Sequence, residues 1–336
     1  MENALRIPAR RALRMATATA LCVAISFALD LSIPVVAPVF AAFLATQNRP
    51  LSLREGAALT LVVLFTTGSG LLLVPLLRHY AAAGVMIVGL LLFVAFRYGL
   101  RSGNNLVATF LAAGLTMISA AGTANFALAV TVVSALVNGL VLAVLVSALT
   151  HLLFPEQLDA AKRPGKRTLP EREAMRVAWR AAFVVMPAYL LATTDPASYM
   201  PIIMKAVSLG RQSCTTTARS AARDLIGSTL LGGALAISFW FALRLFVHVW
   251  MFFLWMLLFG LLVGRKIYGL SRTRYPAGFW LNSLVTMIIL LGQSVQDSVA
   301  GKDVYTAFAI RMGLFLAVTA YACLMLLVFE RRGRAG

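Results

Sequence analysis

Apolar residues run through this chain in twelve stretches. They lie near 12–30, 33–47, 56–77, 80–97, 105–122 and 125–153 in the first half, and near 177–194, 197–211, 225–243, 246–264, 276–293 and 309–329 in the second. A helix needs about 20 apolar residues to cross a bilayer, with roughly 17–25 as the working range, so each stretch predicts a membrane helix. The run 225–264 is nearly continuous. At about 1.5 Å per residue it would overshoot the bilayer core about twofold, and Arg244 is where it divides. The pattern predicts an all-α polytopic membrane protein of about 12 transmembrane helices.

The polar punctuation repeats. Arg14, Pro34 and Arg49 return as Arg176, Pro196 and Arg211, each 162 positions later (176−14, 196−34, 211−49). Tyr98-Gly99-Leu100, flanked by Arg97 and Arg101, returns as Tyr268-Gly269-Leu270, flanked by Arg265, Lys266 and Arg272. A repeat of this length in an apolar chain points to a duplicated membrane bundle, the arrangement in which transporters place a substrate path between related halves. The predicted division is 1–154, a first repeat of six helices; 155–175, a short polar cytoplasmic linker with Pro164-Gly165 and Pro170; and 176–336, a second repeat of six helices with a short basic tail. Six is even, so the halves run parallel and are related by an axis along the membrane normal.

Composition agrees. Hydrophobic residues are 60% and charged residues 12% of 336, against roughly 45–50% and 25% in soluble domains. The formal charge of +18 lies in short clusters between apolar runs, not on one face or tail, which reads as membrane topology and not as nucleic-acid binding. With the N-terminus inside, 25 of 30 basic residues fall on one side: those from Arg6 to Arg14, Arg49 and Arg54, Arg97 and Arg101, Lys162 to Arg180, Arg211 to Arg223, Arg265 to Arg274, and Arg331 to Arg334. The positive-inside bias then places both termini in the cytoplasm of a bacterial inner-membrane protein. Arg6 to Arg14 before the first apolar run imitates a signal peptide, but no small-residue cleavage site follows, and the segment reads as a retained span. Cys22, Cys214 and Cys323 stand far apart with no metal-binding spacing, so neither a metal nor a cofactor is expected.

The opening run Arg11-Ala-Leu-Arg-Met-Ala-Thr-Ala-Thr-Ala20, the short Pro-rich second span Pro34 to Gln47, the echo from Arg176 to Arg211, and Arg219 and Arg223 ahead of Gly227, Gly232 and Gly233 together resemble the fusaric acid resistance and aromatic acid exporter superfamily, in its compact inner-membrane branch. The resemblance implies efflux of small aromatic or weak-acid compounds, with a periplasmic membrane-fusion adaptor and a small two-span companion protein as partners. Exporters of that superfamily usually carry a sizeable cytoplasmic domain after each bundle. Here only the short linker and the tail stand in those places.

Five residues are candidates for a substrate path. Pro38 and Pro201 lie deeper in spans two and eight than Pro34 and Pro196, which fit as helix starters. A proline inside a span removes a backbone donor, and irregular backbone at membrane depth is tolerated where it is buried or lines a cavity. Lys205 stands about six residues, or about 9 Å, before the cytoplasmic end of span eight, where a cation costs about 2.5–3.5 kcal/mol unless it meets a partner or a cavity. An anionic substrate would be that partner; snorkelling to the headgroups is the competing reading. Its counterpart by the 162 offset is Phe43, so the charge is not shared by the halves. Arg78 and Arg244 break the positive-inside trend at equivalent places, beside His79 and His248, which suggests either a basic periplasmic mouth for an anion or interfacial anchoring. Arg311 fits at the start of span twelve or inside it.

Acidic residues are expected outside the spans: Asp30 and Asp195 at the first hairpin of each half, Asp297 and Asp303 in an outer loop. No buried proton relay is visible. An anion leaving a negative interior gains about 2.3 kcal/mol per charge per 100 mV without one. The leading function is therefore an efflux permease for small organic anions. An intramembrane lipid-modifying enzyme is the alternative, but the chain has no clustered carboxylates or histidines and none of the usual hydrolase motifs. A non-transporting scaffold subunit of an envelope complex is the third. Membrane lipid surrounds the chain in every case, and assembly as a homo-oligomer stays open.

Overall fold

The computed structural model describes residues 2–46, 53–155, 169–213 and 222–334. Arg49, Cys214, Arg219 and the middle of the 155–175 linker lie outside the described residues. Among those described, all regular structure is helical: α1 (Glu2–Ala28), α2 (Val36–Ala45), α3 (Leu53–His79), α4 (Ala81–Ser102), α5 (Asn105–Ala124), α6 (Phe126–Leu153), α7 (Glu171–Thr194), α8 (Pro196–Ser213), a π-helical turn Ala222–Ile226 leading into α9 (Gly227–Leu245), α10 (Val249–Ile267), α11 (Ala277–Val299) and α12 (Val304–Arg334). The long apolar run breaks at Phe246-Val247-His248, just after Arg244.

Nine of these helices, among the described residues, are long and apolar enough to cross a membrane: α1, α4 to α7, and α9 to α12. Nine of the twelve expected spans thus meet that measure among the described residues. The shortfall falls partly on counterparts. α2, which follows Pro34, has 10 residues, about 15 Å, or half of a bilayer core of about 30 Å. α8 carries Lys205 mid-helix and Arg211 in its last turn. Neither needs an apolar exterior. α2 is buried on every side from Val36 to Leu44, and α8 from Met200 to Gly210. Such interior placement is what lets short or polar helices exist at membrane depth.

The chain forms two compact units that do not follow its two halves. One comprises Met1–Thr60, Ala135–Lys162 and Gly227–Met312; the other comprises Leu61–Ser134, Arg163–Ile226 and Gly313–Gly336. In the first, α1 packs on α2 and α10, while α11 packs on α2, α9 and α10. In the second, α7 packs on α8, α4 and α5, while α5 packs on α4 and α8. Each unit thus joins the first two helices of one repeat to the fourth and fifth of the other. Helix contacts therefore run across the expected division between 12–153 and 177–329 as well as within each part.

The cause is local fit. Lipid supplies no hydrophobic preference for sequence neighbours, and small residues decide which helices approach. Gly260 and Gly264 of α10 lie against Ala16 and Ala12 of α1, so closely that a Cβ at Gly260 would stand 3.0 Å from the Ala16 Cα.

Two further readings change. The Tyr-Gly-Leu echo is not equivalent in structure: Gly269 (φ +75°) ends α10 in the left-handed region, whereas Gly99 is inside α4 and Gly103 (φ +67°) takes that role. Asp297 is not in an outer loop. It sits in the last turn of α11, buried, and Arg311 of α12 pairs with it, which places Arg311 inside a helix.

Candidate functional site

Lys205, Pro201 and Arg78 belong to one compact unit; Pro38 and Arg244 belong to the other. The five therefore fall into two groups.

In the first group, α8 starts at Pro196 behind Asp195, whose Oδ1 accepts from the Ser198 N–H at 3.3 Å. Pro201, in the second turn, is buried and leaves the carbonyl four residues earlier without its helical donor. One turn on is Lys205, 0% exposed. The snorkelling reading requires an ammonium that reaches the surface, and this one does not: Nζ stands 6.0 Å from the ring centroid of Phe315 on α12, near the limit of a cation–π contact. One turn on, Leu209 joins Val184, Leu225, Ala322 and Leu326 in one buried apolar cluster.

Polar groups are also buried on α5, α7 and α8 of this unit. Gly210 of α8 lies against Val185 and Ala181 of α7. The two helices run antiparallel across the Asp195 turn, so stepping back five residues from Gly210 sets Lys205 at the level of Tyr189. The Tyr189 hydroxyl is fully buried beside Ser119 of α5 without meeting hydrogen-bonding geometry, and the Ser208 hydroxyl, one turn beyond Lys205, is also buried without a partner. Ser119 itself donates to the Leu115 carbonyl at 2.6 Å, and Thr116 to Ala112 at 2.6 Å. A cation and two unsatisfied hydroxyls within one helical unit can hold a carboxylate: the ammonium meets the charge and the hydroxyls donate to its oxygens. Spacing could have pointed to Ser208, at i+3 from Lys205. Nothing local marks Tyr189, which arrives by tertiary packing.

Arg78 is exposed in the last turn of α3. In the other unit, Pro38 occupies the first turn of α2, where its missing N–H removes no helical bond. With Pro34, Val35, Phe252 and Gly292 it lines a void of about 10 Å³, room for about one water. Arg244 is exposed at the end of α9 and donates from Nη1 to the Tyr305 hydroxyl at 2.7 Å. Phe43, the counterpart of Lys205, is buried in α2. The interior of this unit holds a neutral contact, Asn282 Nδ2 donating to Ser228 Oγ at 2.6 Å, and the Arg311–Asp297 ion pair. Among the described residues no three of His, Cys, Asp or Glu gather as a metal site.

Residues 11–150, from within α1 into α6, match a family described as "Protein of unknown function (DUF2955)". No curated protein and no solved structure matches the chain.

Proposed function

We propose that this multi-pass helical protein is a permease for small organic anions, aromatic weak acids foremost, and that it acts as a carrier and not as an enzyme. The observation that carries the reading is Lys205: a lysine enclosed at membrane depth, beside the Phe315 ring and at the level of a buried tyrosine hydroxyl. Burying an ammonium is costly, and in membrane helices such residues mark substrate or ion pathways. The carboxylate of a transported acid would meet Nζ and accept from Tyr189 and Ser208, with its ring against Phe315. Pro201 leaves α8 one helical bond short just ahead of the lysine, a place where the helix can bend as the surrounding helices part.

In this reading the substrate moves outward from the cytoplasm of a bacterium, both termini are cytoplasmic, and the membrane potential drives the anion at about 2.3 kcal/mol per charge per 100 mV. Arg78 and Arg244 raise the local anion concentration at the outer interface. A periplasmic adaptor and a small two-span companion would carry the substrate onward. The test is uptake and release of labelled benzoate by protein in liposomes under an imposed potential, with the uncharged benzamide as control. Benzoate flux above that of protein-free liposomes that follows the potential, with benzamide flux no greater than in protein-free liposomes, supports the reading. Equal protein-dependent flux of both, or of neither, defeats it.

A further inference from the structure

We propose that the groove between α4 and α7 seats one anionic phospholipid, its acyl chain along the apolar walls and its phosphate at the basic ends of the two helices. The site is separate from Lys205 and does not depend on what the protein transports.

The groove holds about 560 Å³ and is lined by Met86, Gly89 and Leu90 on α4 and by Trp179, Phe183 and Met186 on α7, among others. It is open: Met86 is 76% and Leu90 52% exposed. The equivalent pair in the other unit, α1 and α10, is closed by the Gly260 and Gly264 contacts with Ala16 and Ala12. Here a Cβ on Gly89 would meet only the flexible end of Met186, at 3.5 Å.

Both walls change from apolar to basic along their length. On α7 the stripe is Arg172, Arg176, Trp179, Phe183 and Met186, at spacings of four and three that keep one helix face. On α4 it is Met86, Leu90, Val94, Arg97 and Arg101. The helices run antiparallel and their basic ends coincide: Phe93 stacks on Trp179 with ring centroids 4.4 Å apart, and Arg101 reaches Glu171 at 3.2 Å. Glu171 also takes Arg97, at 2.5 Å, and Glu173 stands in the same turn, so two carboxylates stand against four arginines. From Arg176 to Met186 is ten residues, about 15 Å along the axis, the depth of one leaflet of a core about 30 Å thick. A phosphate belongs at the arginines and a chain along the aromatics; basic pockets between membrane helices bind such headgroups.

The experiment is native mass spectrometry of the delipidated full-length protein titrated with phosphatidylglycerol, with phosphatidylcholine of the same chains, and with glycerol phosphate. One phosphatidylglycerol should bind at least tenfold more tightly than phosphatidylcholine, and glycerol phosphate should not compete. Arg172→Gln with Arg176→Gln should abolish the preference, and Arg172→Lys with Arg176→Lys should keep most of it. Leu90→Trp, on an exposed wall, should weaken both lipids by filling the groove. Equal binding of the two lipids, competition by glycerol phosphate, or a Leu90→Trp protein that binds like wild type would each overturn the assignment.

Discussion

Arg311 on α12 grips Asp297 on α11 with both guanidinium nitrogens: Nη2 lies 3.0 Å from Oδ1, and Nη1 contacts Oδ2. The side chains are 15% and 6% exposed, so each charge depends on the other for what water would otherwise supply. Removing one partner of such a pair costs about 3–5 kcal/mol, whereas replacing both with apolar groups is often neutral. Asp297→Ala should therefore lower the thermal midpoint in detergent clearly, and Asp297→Ala with Arg311→Met should recover most of the loss. A double variant as unstable as the single one would show that the pair matters for some other reason.

Asp303 caps α12. Its carboxylate accepts from the Thr306 hydroxyl and from the Tyr305 N–H at 3.1 Å, and these bonds, the hydroxyl first, hold its pKa below the ordinary 3.8. A lowered carboxyl pKa means the folded state prefers the ionised form. The contribution is complete above pH 3.8 and is lost as pH falls through the lower folded value. Amide protection factors at the start of α12, corrected for the intrinsic exchange rate at each pH, should fall on acidification in wild type, but should be low and insensitive to that change in Asp303→Ala. Equal acid sensitivity in the variant would contradict the capping role.

The charge asymmetry predicts sidedness. A cysteine replacing Ser271, in the basic segment between α10 and α11, should be labelled by a membrane-impermeant maleimide only from the cytoplasmic side. One replacing Ala300, between α11 and α12, should react only from the outside. Reversal of the two patterns would invert the topology.

How far the sequence carries can be judged from these same residues. Twelve apolar runs marked helices correctly because lipid forces backbone bonding within each run, and Arg244 located the break at 246–248 because charge collects at helix ends. Pairing was illegible. Gly260 meets Ala16 through complementary surfaces on elements far apart in the chain, and no run or motif announces that fit. The same gap put Asp297 in a loop, since its placement depends on Arg311 across a helix contact. For Lys205 the depth could be read from its distance to Arg211, but its direction could not. Snorkelling and burial differ only in which face α8 turns inward, and the packing of α5, α7 and α12 sets that.

Whether an anion passes Lys205 turns on one comparison. Lys205→Met keeps the apolar stem and removes the charge, while Lys205→Arg keeps the charge on a larger head. Potential-driven benzoate efflux from loaded proteoliposomes, normalised to folded protein, should fall at least tenfold for Lys205→Met and stay measurable for Lys205→Arg. Wild-type flux in Lys205→Met across a range of benzoate concentrations would contradict the account.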